Sequence, residues 1–404
     1  MTMHRAILRL NKGREKSIER RHPWIFSGAV SRVDGNATVG DIVDVATADG
    51  RWVAMGHYEG GSIICKVLSF EQREADEAFW RERLESALLY RRNMGLFADI
   101  AAEGKRRLDV FRLIHGEGDQ LPGLIVDYYN GIVVLQAHSC GMHNELQHIA
   151  TLLSDLLPRY GLPVSGVYNK SAATLPKGVP CEDGVLGGEV PQEVVVTEYG
   201  SRMFVDVREG QKTGFFVDQR ANRHLLSLLS QGRRVLNCFG YTGGFSVAAL
   251  NGGASQVATV DISQRAIEAC NRNVELNFGG GAPHRSIVAD VPRWLDEVDE
   301  QYDIIILDPP AFAKNHKVLQ QGLKGYRYIN MQALRKLPKG GLLLTFSCSQ
   351  AVSADDFQTA CFSAAVFAGR KVRVVQRLTH AADHPVSIYH PEGEYLKGLL
   401  LQVE

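Results

Sequence analysis

Beyond residue 190, seven short apolar runs alternate with stretches of helical pattern. They lie at 233–238, 257–261, 285–290, 302–308, 341–347, 372–378 and 396–403. Alternation of this kind predicts a largely parallel sheet with helices on both faces, and it places any ligand at the carboxyl ends of the strands. The fold class expected for this half of the chain is α/β, a Rossmann-like sheet.

The upstream half has a different punctuation. Short β-like runs at 6–10, 41–45, 52–55 and 62–68, separated by turns such as Asp49-Gly50 and Glu59-Gly60-Gly61, describe a small β-barrel. Residues 76–92 carry Phe79, Trp80, Leu84, Leu88 and Leu89 near helical spacing and read as a linking helix. From about 108 to 185 strand-like runs at 110–114, 123–128, 132–136 and 166–168 surround one helix at 143–157, a strand-rich α+β module. The expected division is 1–72, 73–188 and 189–404.

The first run of the α/β half enters a glycine turn, Asn237-Cys238-Phe239-Gly240-Tyr241-Thr242-Gly243-Gly244-Phe245-Ser246. Glycines let the backbone approach a ligand closely, and the first turn of the following helix offers N–H donors to an anionic group. Glycines at 240, 243 and 244 do not match G-x-G-x-x-G, and no Gly-Lys-Ser/Thr follows, so neither the dinucleotide nor the nucleoside-triphosphate pattern is met. A nucleoside ligand with a carboxylate end and no phosphate cluster fits better, and S-adenosylmethionine (SAM) has that shape.

Three acids end three successive runs: Asp261, Asp290 and Asp308. Along one sheet edge they line a single cleft, the first suited to ribose hydroxyls and the second to the adenine amino group, although a helix-capping role competes at each. Asp308 precedes Pro309-Pro310, a rigid turn that turns its carboxylate and the neighbouring carbonyls toward the group being modified. The next run ends in Ser347-Cys348-Ser349. A thiolate adding to C6 of a pyrimidine makes C5 nucleophilic toward a sulfonium methyl, so Cys348 is the candidate nucleophile and Asp308 the group assigned to N3 of cytosine. A base must then remove the C5 proton, and the sequence does not identify it.

Charge and cysteine content bound the remaining classes. The chain has 45 basic and 45 acidic residues, so net charge neither predicts nor excludes a polyanionic partner, but residues 1–21 carry seven basic side chains against two acids. Seven cysteines without a C-x-x-C pair read as free thiols in a reducing compartment. His380 and His384 lack the H-E-x-x-H context, so no metal is expected. With no apolar run near about 18 residues and no signal core, no membrane is expected and the location is cytoplasmic.

These residues together resemble the bacterial 23S ribosomal RNA large subunit methyltransferase I family. The resemblance rests on Asn237 to Ser246, Asp261, Asp308-Pro309-Pro310-Ala311-Phe312 and Ser347-Cys348-Ser349. It extends to the stretches 21–28, 117–127, 210–220 and 391–398, and so spans nearly the whole chain. It implies an N-terminal PUA RNA-binding domain, a central α+β domain and a SAM methyltransferase domain that forms 5-methylcytidine in 23S rRNA.

Matched position by position, the resemblance puts Phe239, Gly240, Tyr241 and Thr242 at the methionine end of SAM, with Asn237 and Gly243 in the same turn. Asp261 and Ile262 go to the ribose side, Asp290 to the adenine and Asp308 to the cleft. Arg220, Pro309, Phe312, Lys314 and Trp24 form the RNA-facing set. Ala311 and Phe312 stand after the prolines where many RNA cytosine methyltransferases carry a second cysteine, so a release step needing two thiols is not supported. The implied partner is 23S rRNA or a large-subunit assembly intermediate, and a homodimer is left open. Methylation of uracil C5 or a guanine nitrogen, and a non-catalytic assembly factor, are the competing readings.

Overall fold

Short β-branched runs broken by turn residues fold into an N-terminal sheet. In the computed structural model, which describes residues 5–98, 100–104 and 107–404, the strands are β1 (Ile7–Leu10), β2 (Trp24–Phe26), β3 (Val30–Asp34), β4 (Ile42–Ala46), β5 (Trp52–Tyr58) and β6 (Ile63–Ser69). They pair in the order β2-β6-β5-β4-β1-β3, with a single helical turn, α1 (Lys16–Glu19), after the first strand. Leu8, Leu10, Val43, Val45, Cys65 and Val67 fill its interior. The run pattern finds four of these strands and misses β2 and β3. The first is three residues long, and the second presents only half-buried or exposed positions, so neither shows clear alternation.

Helix α2 (Glu77–Asn93) starts at Asp76, whose carboxylate accepts the Phe79 N–H at 2.9 Å, the usual stabilising N-cap. It packs Phe79, Trp80, Leu84 and Leu88 against a central sheet of β7 (Val110–His115), β8 (Leu124–Tyr129), β9 (Ile132–Ala137), β10 (Gly166–Asn169) and β11 (Gly184–Gly188), ordered β11-β10-β9-β8-β7. Helix α3 (Cys140–Leu156) joins β9 to β10. Strand β11 escapes a pattern reading because its sequence, GVLGG, is mostly glycine. A hairpin, β12 (Glu193–Glu198) and β13 (Ser201–Asp206), leads into the last sheet.

That sheet holds β14 (Arg234–Cys238), β15 (Gln256–Asp261), β16 (His284–Val288), β17 (Ile304–Leu307), β18 (Leu342–Ser347), β19 (Val372–Thr379) and β20 (Lys397–Val403), in the order β16-β15-β14-β17-β18-β20-β19. The first five strands are parallel, as the alternation requires, and the last two form an antiparallel hairpin. Around it lie α4 (Arg220–Leu229), α5 (Gly244–Asn251), α6 (Gln264–Phe278), α7 (Val291–Glu297), α8 (Leu319–Lys336) and α9 (Ala354–Ala368). One face of this sheet shares a continuous apolar core with the central sheet, and the other packs against α8 and α9. Among the described residues no helix is long and apolar enough to cross a membrane.

The sheets are fastened by charges buried at their seams. Asp383, in the connection from β19 to β20, is fully buried. Its Oδ2 accepts the Arg112 N–H of β7 at 2.9 Å and the Arg220 Nη1 of α4 at 2.6 Å, while its carbonyl accepts Arg91 Nη2 of α2 at 2.8 Å. On the other side, Glu59 after β5 accepts the Cys140 and Gly141 N–H groups at 2.9 and 3.1 Å, a carboxylate at the positive end of α3. Gly141 is required there, since a Cβ would lie 2.0 Å from His57 Cγ.

Removing one partner of a buried pair strands the other charge, which costs about 3–5 kcal/mol. Asp383→Ala should therefore lower the unfolding free energy extrapolated from urea titration by an amount of that order, with Arg220 left buried and without its carboxylate. A change under about 1 kcal/mol would put the pair among inconsequential surface bridges.

Candidate active site

The turn after β14 is held open by backbone geometry. Phe239, Tyr241 and Gly243 all take positive φ, +59°, +46° and +81°, a conformation that costs an L-residue roughly 1–2 kcal/mol. The cost is offset by hydrogen bonds: Gly240 N–H to Val260 O at 3.1 Å, Gly243 N–H to Gly240 O at 2.8 Å, and Tyr241 N–H to Asp261 Oδ2 at 2.9 Å. Close packing explains the glycines. A Cβ on Gly240 would meet Thr259 Cγ2 at 2.3 Å, and one on Gly243 would meet Cys270 Sγ at 2.4 Å. Gly243 caps α5 with no side-chain bond to the first turn, so those N–H groups face the cleft unclaimed by a cap.

Several features of this cradle fit SAM. Asn237 is buried, donates its Nδ2 to Ser246 Oγ at 2.8 Å, and leaves its Oδ1 without a partner. Thr242 is positioned by its carbonyl, which accepts Asn273 Nδ2 of α6 at 2.9 Å. Asp261 ends β15 with both oxygens already oriented, Oδ1 by the Ser263 N–H and Oδ2 by Tyr241, which leaves lone pairs for hydroxyl donors. Ile262 follows it 69 % exposed, an apolar surface suited to a flat ring. Asp290 is exposed and caps α7 by accepting the Arg293 N–H at 3.2 Å, so the run expected to reach 290 ends at Val288 and its acid serves the next helix.

The chemical end of the cleft lies one and two strands away. Asp308 leaves β17, and Cys348 leaves the neighbouring parallel strand β18. The Cys348 Sγ sits 4.0 Å from the Pro309 carbonyl. Two contacts fix the loops against each other: Ser349 Oγ lies 2.8 Å from Tyr326 OH, and it accepts the Ala313 N–H at 3.3 Å. Lys397 of β20 donates to the carbonyls of Ser349 and Val352, both at 2.7 Å. Burial, reinforced by the Asp218 carboxylate, pushes the Asp308 carboxyl up to about 7. Burial and Asp308 also raise the Cys348 thiol, against the opposing charge of Lys212. The nucleophile therefore rests as a thiol beside an acid that still holds its proton near neutrality.

The RNA-facing set is redistributed by the fold. Arg220 is 2 % exposed and paired with Asp383, so it ties α4 to the seam and offers nothing to a phosphate. Trp24 is half-buried: its Nε1 donates to Glu117 at 2.8 Å and its ring lies 4.3 Å from that of His390, which makes it a contact between the barrel and the β19–β20 connection. Pro309 is buried with its carbonyl beside the thiol. Phe312 is half-buried with its ring 4.8 Å from Tyr326, and Lys314 is exposed.

Pattern reading overlooked Lys212, Asp218, Gln219 and Tyr395. Lys212 Nζ lies 2.7 Å from Asp218 Oδ2, and Tyr395 OH donates to the same oxygen at 2.7 Å. All four fall inside the stretches 210–220 and 391–398, whose density of polar residues between apolar ones was the available signal.

Comparison with known proteins bears on this geometry. Residues 111–393 match the model of S-adenosylmethionine-dependent methyltransferases, and residues 8–70 match that of PUA-like domains. The chain is 42% identical over 402 residues to Ribosomal RNA large subunit methyltransferase I of Escherichia coli K12, covering 98% of each protein. The protein of that name from E. coli O139:H28 gives the same identity and coverage. Among solved structures, a SAM-dependent methyltransferase candidate from Streptococcus mutans aligns over 98% of this chain and 100% of its own, with a TM-score of 0.81 at 22% identity. A methyltransferase candidate solved with SAH, SMU.776, gives a TM-score of 0.82 at 22% identity over the same shares. These two likenesses carry the fold.

Gly243→Ala places a side chain at φ +81° against Cys270. It should weaken binding of S-adenosylhomocysteine roughly tenfold or more by titration calorimetry, and unchanged affinity would remove the turn from the cofactor site.

Proposed function

The chain belongs to the ribosomal RNA large subunit methyltransferase I family of SAM-dependent enzymes, and from that premise we propose that it forms 5-methylcytidine in 23S rRNA through a covalent adduct of Cys348. The observation that carries the reading is the pairing of Cys348 with a proton-bearing Asp308 on adjacent strand ends. A guanine nitrogen needs no such pair, because it attacks a methyl donor directly. Cytosine C5 needs both members.

SAM, bound along the turn after β14, supplies a sulfonium methyl as the electrophile. Asn237, Phe239 to Gly243 and the first N–H groups of α5 are the residues that would hold its methionine end, and Asp261 with Ile262 its nucleoside. The Cys348 thiolate adds to C6 of the target cytosine, and Asp308 passes its proton to N3 as the Sγ–C6 bond forms. Electron density then resides at C5, which would take the methyl as its bond to the sulfonium sulfur breaks and S-adenosylhomocysteine leaves. Loss of the C5 proton to a base breaks the Sγ–C6 bond, and the N3 proton returns to Asp308. A single thiol completes this cycle, consistent with Ala311 and Phe312 standing after the prolines. The target base must leave its stack to reach the thiol.

The barrel at residues 8–70 is the PUA-like module and supplies the second RNA contact. The 73–188 segment, with α2 and the central sheet, acts as the rigid block between that contact and the catalytic sheet. Lys314, exposed beyond the Pro-Pro turn, is the cationic residue of the original set still placed to meet phosphate.

Incubating the protein with SAM and unmodified 23S rRNA, followed by nucleoside mass spectrometry, should yield 5-methylcytidine at one position. Cys348→Ala should give none, and methylation that survives this substitution rejects the covalent route.

A pH dependence follows from the two groups. The working form has a charged thiol and a protonated Asp308, one proton fewer than the resting pair. Activity should therefore rise as pH climbs through about 7, where the pair loses its first proton, and fall only above the ordinary thiol range, where it loses the second. A kcat/KM profile that is flat from pH 6 to pH 8, on the order of two units about this value, contradicts the assignment.

A further inference from the structure

The last sheet ends in a hairpin whose second strand, β20, runs against β18, and that strand opens on a lysine. Its direction places Lys397 at the edge where the parallel strands end, opposite Ser347 and one position from Cys348. The strands lie close there, since Gly398 pairs with Phe346 and a Cβ on it would meet Phe346 Cδ1 at 2.4 Å. Lys397 is 8 % exposed. Its Nζ donates to the carbonyls of Ser349 and Val352, both at 2.7 Å.

Those two carbonyls are the ends of one turn. The Val352 N–H closes it on the Ser349 carbonyl at 3.1 Å, so Lys397 braces a unit that is already formed. Ser349 is gripped from another side as well, its hydroxyl accepting the Ala313 N–H at 3.3 Å and lying 2.8 Å from Tyr326 OH. Cys348 therefore stands between Ser347, held in the β18–β20 ladder, and Ser349, held through both its carbonyl and its side chain. The result is a thiol 4.0 Å from the Pro309 carbonyl.

A buried ammonium is costly unless an anion accompanies it. The buried arginines 91, 112, 220 and 223 each have a carboxylate, whereas Lys397 forms no ion pair among the described residues. Packing alone would be served by a methionine of similar length, with no charge to desolvate. What the ammonium adds is donors, and two of them are spent on the turn that carries the nucleophile. Lys170, the other buried lysine, bonds the Val207 and Gly210 carbonyls in the loop that leads to Lys212.

We propose that Lys397 is a positioning residue for the methyl transfer, its ammonium holding the 349–352 turn so that Cys348 Sγ meets C6 of a base docked beside the 309–313 loop. This rests on the covalent cytosine reading. Addition requires the sulfur about 3–3.5 Å from C6 and aligned with the ring face, and a misplacement of about 1 Å costs on the order of 100-fold in rate. The thiol comes from the loop after β18 and the docking surface from the loop after β17, so their register has to be enforced. Lys397 enforces it from one side and Tyr326 from the other. Lys397 exchanges no proton and makes no bond to the base, so the balance of the cycle is unchanged.

The test is single-turnover methylation of unmodified 23S rRNA by the full chain at saturating RNA and SAM, with calorimetric titration of S-adenosylhomocysteine counting the folded sites. Lys397→Met should lower the rate per site about 100-fold, with the affinity for S-adenosylhomocysteine and the steady-state KM for RNA unchanged. Lys397→Gln, whose shorter amide reaches one carbonyl at most, should lower it about tenfold, and it gives a reading even where the methionine variant fails to fold. A wild-type rate per site in either variant overturns the role. So does turnover that falls only in proportion to the number of sites, which makes Lys397 a prop of the fold, and so does a loss confined to KM for RNA, since the thiol acts after docking. Methylation that survives Cys348→Ala would instead reject the reading on which the role rests.

Discussion

The architecture turns on a carboxylate taken out of water. Asp383 carries its charge into the junction of α2, β7, α4 and the catalytic sheet, where Arg220 and the backbone N–H of Arg112 replace its hydration. Burial of an ion is expensive, and it is tolerable here because the Arg112 N–H, Arg220 and the His384 ring all meet the carboxylate. The consequence is geometric. The connection from β19 to β20 is drawn across the molecule, so that His390 reaches Trp24 of the barrel and Tyr395 reaches Asp218. One buried anion therefore fixes the orientation of three sheets and delivers a hydroxyl to the site.

A second carboxylate pair uses the same low-dielectric surroundings for a different end. At the seam, Asp383 is paired with an arginine of its own and the charge is stable. Asp218, in the turn before α4, has its lysine while Asp308 at the end of β17 has none of its own, and the difference holds the first carboxyl down while burial pushes the second up. Parallel strands make this possible, because β14, β15, β17 and β18 all end at one edge and bring Asp261, Asp308 and Cys348 into one cleft without any being close in sequence.

Legibility in the sequence followed burial. The five inner strands of the last sheet are buried on both faces and stand out as runs, and its half-exposed edges, β16 and β19, still carry Ile or Val, so all seven were readable to within a few residues, with Val288 the clearest overshoot. Edge and glycine-rich strands such as β2, β3 and β11 lack that signal, because half-exposed positions do not force alternation. The same limit governed the site. Gly240, Gly243, Asp261, Asp308 and Cys348 are readable because each stands at a strand end or in a turn whose geometry demands it. Arg220 and Trp24 were misplaced because a basic or aromatic residue looks equally suited to RNA and to a buried contact until its partners, Asp383 and Glu117, come to hand from 163 and 93 residues away.

What the sequence determined by itself was the order of strands and helices, the open turn after β14 and the residue types that end each strand, since these follow from local periodicity and backbone sterics. Tertiary structure alone decided which polar groups share a dielectric environment. Lys212, Asp218, Asp308, Cys348 and Tyr395 meet only when four segments of chain converge. The protonation state of Asp308 depends on that meeting, because a pKa is set by neighbouring charges and lost water, neither of which has a local signature in the chain.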